Sequence, residues 1–268
     1  MITSTFVKVF IANLGKTLLY EFEVVVVNRR LVELRKIVRT KSKTVIDTLL
    51  EDHSASICIL CATGKDLTKE HVIPKWTFEN NQNKNFVTGI NGLSQSYSKT
   101  TLPACSHCNS YLMGALERNL ELLFRHKDLS EQHFSNDEKS KIILWLEFID
   151  YKFNALDLRR KLKKPKGGAY IPYLADFPVS IMQRMDDSPS KIFTLFRNSL
   201  KKLGVKSRVN QLNSLVTFKT TNESFHFFHQ TSEYIFIELP QHSIALFYHF
   251  NQEFDVERDA YDSAMEIR

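Results

Sequence analysis

No stretch of about 18 uncharged apolar residues occurs in the chain, and its longest candidate, LLYEFEVVVVN, is interrupted by Glu21 and Glu23, which argues against a membrane span. The amino-terminal segment sets Lys8 inside an alternating pattern and offers no small-residue cleavage site, so it does not read as a secretory signal. Internal repeats and low-complexity tracts are also lacking. So are the glycine-rich phosphate loop, the Gly-x-Ser-x-Gly elbow and the Gly-x-Gly-x-x-Gly fingerprint, which removes the usual signals of ATPase, serine-hydrolase and dinucleotide chemistry. Cysteine is scarce, with four in the chain. In the reducing cytoplasm, where these absences place the protein, paired cysteines hold metal more readily than they form disulfides.

What is present suffices for a globular protein. The chain has 268 residues, 43% of them hydrophobic, enough for one large domain or for two to three small ones. Its formal charge of +6 is unevenly spread. Residues 1–50 carry nine Lys/Arg against four Asp/Glu, Arg159 to Lys166 holds six basic residues in eight, and Lys191 to Lys219 has seven basic residues and no acidic one. The last eighteen residues hold six acidic against two basic. Any one such run is explained by a solvated face. Three together with an acidic tail point to a polyanion partner, because phosphate neutralisation by Lys/Arg drives non-specific nucleic-acid binding.

The local pattern predicts an α+β chain. TFVKVFIAN alternates, NLGK resembles a turn and TLLYEFEVVVV follows, which together read as a β-hairpin. RLVELRKIVRT then places Leu31, Leu34, Ile37 and Val38 on one helical face, with a strand still open because of its β-branched residues, and SKTVIDTLLED reads as a second short helix. Glu79 to Thr101, with five asparagines and two glycines, reads as a loop region. Leu112, Leu116, Leu120 and Leu123 recur at helical spacing, and a longer helix follows with Ser135 or Asn136 as its N-cap, ended by the PKGG of Pro165 to Gly168. A helix around Ser188–Leu203 and the strands SLVTFKT, SFHFFHQ, YIFIELP and SIALFYHF complete an antiparallel carboxy-terminal portion. The aromatics of these strands, with His226, His229, His242 and His249, read first as core and second as a stacking or partner-binding surface. The division expected is 1–52, 53–134 and 135–268.

All four cysteines fall in two Cys-x-x-Cys pairs, Cys58/Cys61 and Cys105/Cys108, separated by 43 residues. Tetrahedral zinc takes four thiolates at about 2.3 Å, and a two-residue spacer lets both sulfurs of a knuckle face one ion. Free buried thiols or redox chemistry are the alternatives, the latter lacking its βαβ context. A gap of this length implies a functional insertion between the knuckles.

That insertion contains Glu70-His71-Val72-Ile73-Pro74, and Asn109 directly follows the last cysteine. In the ordered elements CILC, EHVIP and CSHCN the chain resembles the four-cysteine, zinc-stapled form of the HNH, or ββα-metal, endonucleases over about residues 55–125. The resemblance implies a zinc-stapled ββα-metal module between an amino-terminal hairpin-helix element and a helical plus antiparallel-β carboxy-terminal domain. It implies structural Zn²⁺ on Cys58, Cys61, Cys105 and Cys108, His71 as the base that activates water, and Glu70 and Asn109 as ligands of one catalytic Mg²⁺ or Mn²⁺. Imidazole suits the base because it titrates near neutral pH, and oxygen donors suit a hard ion. Strand alternation lets the adjacent Glu70 and His71 face opposite ways. Each residue also has a plainer reading: a surface or structural histidine, an exposed glutamate, a helix N-cap at Asn109. His107 reads as a knuckle-surface residue. Glu117, about 12 Å up a helix from Asn109, reads as structural or supporting.

Where the family usually carries a further asparagine that holds the loop of the base, this chain has Thr100, with Ser98 and Lys99 beside it. The activity implied is DNA cleavage, DNA being favoured over RNA, in the setting of anti-phage defence or restriction. Control by a regulatory protein partner, by homo-oligomerisation or by a small signal bound in the carboxy-terminal domain would suit such an effector. The alternatives are a non-catalytic zinc-stapled nucleic-acid-binding module and a regulatory subunit that binds a protein.

Overall fold

The computed structural model describes residues 3–78, 85–87, 94–128, 133–161, 170–171, 177–178 and 188–267, with side chains from residue 26 onward except at 86–87, 94–95, 161, 170–171 and 177–178. The first element departs from the expected hairpin: Thr3–Glu51 is one helix of 49 residues, α1. A valine run favours a strand chiefly through what it packs against. Here the run leads instead into Val27, Leu31, Leu34, Val38, Val45 and Leu49, all buried and spaced three, four or seven apart, a pattern that only a helix brings to one side. Of the expected face Leu31, Leu34, Ile37 and Val38, three are buried as one part of a longer stripe and Ile37 packs half-buried at its edge.

Strand β1 (Leu67–His71) pairs antiparallel with β4 (Thr101–Cys105), in a register that sets Glu70 opposite Leu102 and His71 opposite Thr101. Between them lie a four-residue helix, α2 (Lys75–Phe78), and a small hairpin of β2 (Asn85–Val87) and β3 (Ser94–Ser96). The segment read as loop thus contains a hairpin, while residues 79–84 and 88–93 of it lie outside the described residues. After β4 the chain enters a wide π-helical segment, His107–Met113, which runs into α3 (Gly114–His126) with the Gly114 N–H donating to Asn109 O. Leu112, Leu116, Leu120 and Leu123 are buried along it, as their spacing predicts.

Helix α4 (Asn136–Lys161) is the centre of the molecule. Ser135 caps it: its Oγ accepts the Glu138 N–H at 3.3 Å while Glu138 Oε2 accepts the Ser135 N–H at 2.7 Å, a reciprocal capping box. Every residue from Lys141 to Leu156 is buried, so the helix has no solvent face. It packs on α5 (Pro189–Leu203), which Ser188 caps by accepting the Lys191 N–H. The PKGG segment lies outside the described residues, as do Lys163, Lys164 and Lys166 of the second basic run. A two-residue pairing, β5 (Tyr170–Ile171) with β6 (Phe177–Pro178), follows.

Past the short helix α6 (Val209–Asn213), β7 (Leu215–Lys219), β8 (Phe227–Gln230), β9 (Tyr234–Leu239) and β10 (Ile244–His249) form an antiparallel sheet in the order β7-β10-β9-β8. All four strands read from the sequence are present. One face, with Ile235, Ile237, Leu246 and Tyr248, joins the main core, whereas Val216 and Phe247 on the other are covered by Ala260 and Ala264 of α7 (Glu257–Ile267). The acidic tail is this amphipathic helix. One apolar core runs without a break from Val27 to Phe250, so the three expected segments share their interior rather than each enclosing its own.

Candidate metal centre and active site

The first cysteine knuckle hangs between α1 and β1. The Ala62 N–H donates to Cys58 O at 2.9 Å and the Cys58 N–H to Thr63 O at 2.7 Å, with Ala62 at φ 63, a left-handed turn that brings Cys58 and Cys61 side by side. The second begins where β4 ends, and the Cys108 N–H points at Cys105 Sγ, 3.5 Å away. Two backbone bonds, Ile59 N–H to Pro103 O at 3.1 Å and Ser106 N–H to Asp66 O at 3.0 Å, hold the knuckles together. All four sulfurs lie within 4.8 Å of one another, and Cys61 Sγ is 3.7 Å from Cys105 Sγ. Four thiolates about 2.3 Å from one tetrahedral ion would sit about 3.8 Å apart, so the cluster could hold a zinc ion.

The pKa of Cys58 is lowered to about 5, chiefly by a hydrogen bond from the Cys108 thiol, whose own ionisation is opposed by that bond, while burial pushes Cys61 up to about 12. Alone, the cluster supports a thiolate stabilised by its neighbours; four ionised sulfurs need a divalent ion in their midst.

The insertion's functional candidates gather on the adjoining β1–β4 ribbon. His71 ends β1, half-buried, while Glu70 beside it is turned inward and only 6% exposed. Val72 N–H donates to Thr100 O at 3.0 Å, and Thr100 Oγ1 donates to Ser96 O at 2.8 Å. The buried Thr100 thus bonds the end of β3 through its hydroxyl and the amide next to His71 through its carbonyl. Asn109, in the π-helical segment, donates through Nδ2 to Thr68 Oγ1 at 2.8 Å, and Thr68 in turn donates to Ala104 O. Thr68 and Glu70, two apart on β1, share a face, so Asn109 and Glu70 belong to one side of the ribbon. The π-helix, a form frequent at functional sites, is what brings Asn109 across to β1.

One residue of this site was not legible as part of it. Lys152 of α4, 1% exposed, donates from Nζ to Glu70 Oε1 at 2.7 Å and to His71 O at 2.8 Å. It grips both members of the Glu-His pair. Glu117 of α3 lies nearby: its Oε1 is buried without a hydrogen bond, and burial pushes its carboxyl up to about 7, against the pull of Lys152 and with reinforcement from Glu70. The supporting role expected for Glu117 is consistent with that position. The sequence signal for Lys152 was a cation inside IILWLEFIDYKFNAL, set on the far side of the helix from the polar stripe of Glu147, Asp150 and Asn154.

The remaining candidates have structural settings. His107 is exposed, bonded to Glu33 at 3.0 Å and stacked on Tyr111. His229 is buried against Phe153 and bonded to Asp150 at 2.9 Å; His249 is buried against Phe247. Arg159, first of the second basic run, donates to Ala55 O and Ser54 O, tying the end of α4 to the first knuckle. Among the described residues no helix is long and apolar enough to cross a membrane.

No family model, curated protein or solved structure matches this chain.

Proposed function

We propose that the chain is an HNH-type endonuclease that hydrolyses phosphodiester bonds in nucleic acid, DNA before RNA, with His71 as the base that takes a proton from water. The observation that supports this reading best is the setting of His71. It stands at the end of a ribbon stapled by four cysteines, half-buried, with its carbonyl held by Lys152 and the next amide held by Thr100. A base placed this way meets a scissile phosphate in a fixed orientation, and its removal costs on the order of 10²–10⁴ in rate.

A Mg²⁺ or Mn²⁺ ion, when bound, supplies positive charge to the phosphate as it becomes more anionic. Hard oxygen donors remain for it: the second carboxylate oxygen of Glu70 and the amide oxygen of Asn109, whose bond to Thr68 uses only the nitrogen. That donor set fits such an ion in kind, although Glu70 already shares its charge with Lys152. The same ion pair favours a second reading, a zinc-stapled module that grips nucleic acid without cutting it. A role in defence or restriction follows from the family resemblance.

Plasmid DNA incubated with the purified protein and Mg²⁺ or Mn²⁺ separates the two. Nicking or linearisation that EDTA stops and that His71→Ala lowers at least about 100-fold, with zinc content unchanged, is the result expected of the enzyme. Retained DNA binding with no cleavage under any metal would replace it with the binding module.

A further inference from the structure

A cleft of about 450 Å³ opens between the end of α5, the loop to α6 and the chain after β10. Its rim carries Lys201, Lys202, Lys206 and Arg208. Lys201, Lys206 and Arg208 are exposed, and among the described residues none of the three has an ion-pair partner. Lys202 is half-buried and held by two acceptors, Phe250 O and Asn251 Oδ1, each at 2.8 Å, which aims its ammonium beforehand. Against these four cations the exposed lining carries one carboxylate, Glu253, so the rim keeps a net positive charge whose self-repulsion an anion would relieve.

The floor differs in kind from the rim. Glu147 of α4 reaches the cleft from the buried side, 7% exposed, with one long bond of 3.4 Å from Tyr248 Oη. Burial pushes its carboxyl up to about 7, with Lys202 and Arg35 pulling down and Asp150 pushing up. A continuous phosphodiester strand laid on the rim would leave this carboxyl without a partner. A compact ligand with an anionic end and an N–H-bearing end uses both. Leu195 and the exposed Val205 add apolar wall for a ring, and the volume lies in the range of small-molecule sites, about 300–1,000 Å³.

We propose that this cleft binds a phosphate-bearing small molecule of nucleotide size, with its phosphate among Lys201, Lys202, Lys206 and Arg208 and a hydrogen-bond-donating ring edge at Glu147. The cleft is separate from the cysteine ribbon, sharing with it only α4, which carries Lys152 on one side and Glu147 on another. The assignment stands whether or not the ribbon cuts DNA.

Calorimetry on the full chain with ATP, GTP and inorganic tripolyphosphate tests it. Expected are one site per chain, at least one nucleotide binding tenfold or more tighter than tripolyphosphate, and a tenfold or greater loss for every probe in Lys206→Glu/Arg208→Glu, an exposed pair whose change spares the core. Glu147→Gln should erase the nucleotide's advantage and leave tripolyphosphate unchanged. No binding of any probe at millimolar concentration overturns the proposal. Equal affinity for tripolyphosphate and both nucleotides reduces the cleft to a bare anion site and overturns it as well. So does a single-stranded oligonucleotide that alone binds and alone responds to the charge-reversed pair, which would make the rim a nucleic-acid surface.

Discussion

At the residue scale, the Glu70–Lys152 pair carries more structural information than any other side-chain contact in the site. Both groups are out of water, and Lys152 also pulls on the Glu117 carboxyl, against the burial that pushes it up. Removing one partner of a buried pair leaves an uncompensated charge, which costs about 3–5 kcal/mol. Lys152→Met should therefore destabilise the protein by about that much, and adding Glu70→Gln should restore a large part of it. Chemical denaturation of the two single variants and the double provides the cycle. Additive losses would mean that the two side chains do not sense each other. Lys152→Arg does not substitute cleanly, because a planar guanidinium cannot reach both Glu70 Oε1 and His71 O from a stem packed for an ammonium.

At the scale of elements, the cysteine ribbon was the most legible part of the chain, and the first helix the least. Paired spacing brings sulfurs together whatever lies between, so Cys58, Cys61, Cys105 and Cys108 could be grouped across 43 residues. The four carboxy-terminal strands announced themselves by β-branched and aromatic runs between turn residues, and Ser135 or Asn136 followed by acids announced the start of α4, with Ser135 proving to be the cap. Residues 3–27 misled because a valine run and Gly15 both disfavour a helix locally, while the stripe that fixes the helix begins only at Val27. Lys152 stayed hidden because its partners are 81 and 82 residues away, a separation no periodicity can bridge. A prediction belongs at this scale. Cobalt offered to the cluster should bind as one ion per chain with the intense visible bands of a tetrahedral thiolate site, and Cys105→Ser should weaken both the bands and the retention of cobalt. An octahedral cobalt spectrum would show that the four sulfurs do not bind one ion together.

For the whole molecule, the decisive feature is a helix that no segment can claim alone. Tyr151 of α4 donates to Ile59 O beside the first knuckle at 2.5 Å, Trp145 stacks on Trp76 of α2 with centroids 5.5 Å apart, and Asp150 accepts from His229 and from the Ser232 N–H in the carboxy-terminal sheet. A helix buried on every side has no stable state in which one of its neighbours has left, because each departure exposes a stripe of Ile, Leu, Phe and Trp at about 25 cal/mol per Å². The residues from Val27 to Phe250 should therefore unfold in one cooperative step. The two tryptophans report packing at the join between ribbon and α4, whereas the far-ultraviolet circular dichroism reports helix content, most of it in α1 and α4, so one signal follows a tertiary contact and the other the helices. Their denaturation curves should coincide, and Cys105→Ser should move both midpoints together. A tryptophan transition that runs ahead of the loss of helix would mean that the ribbon detaches from α4 while the rest stays folded.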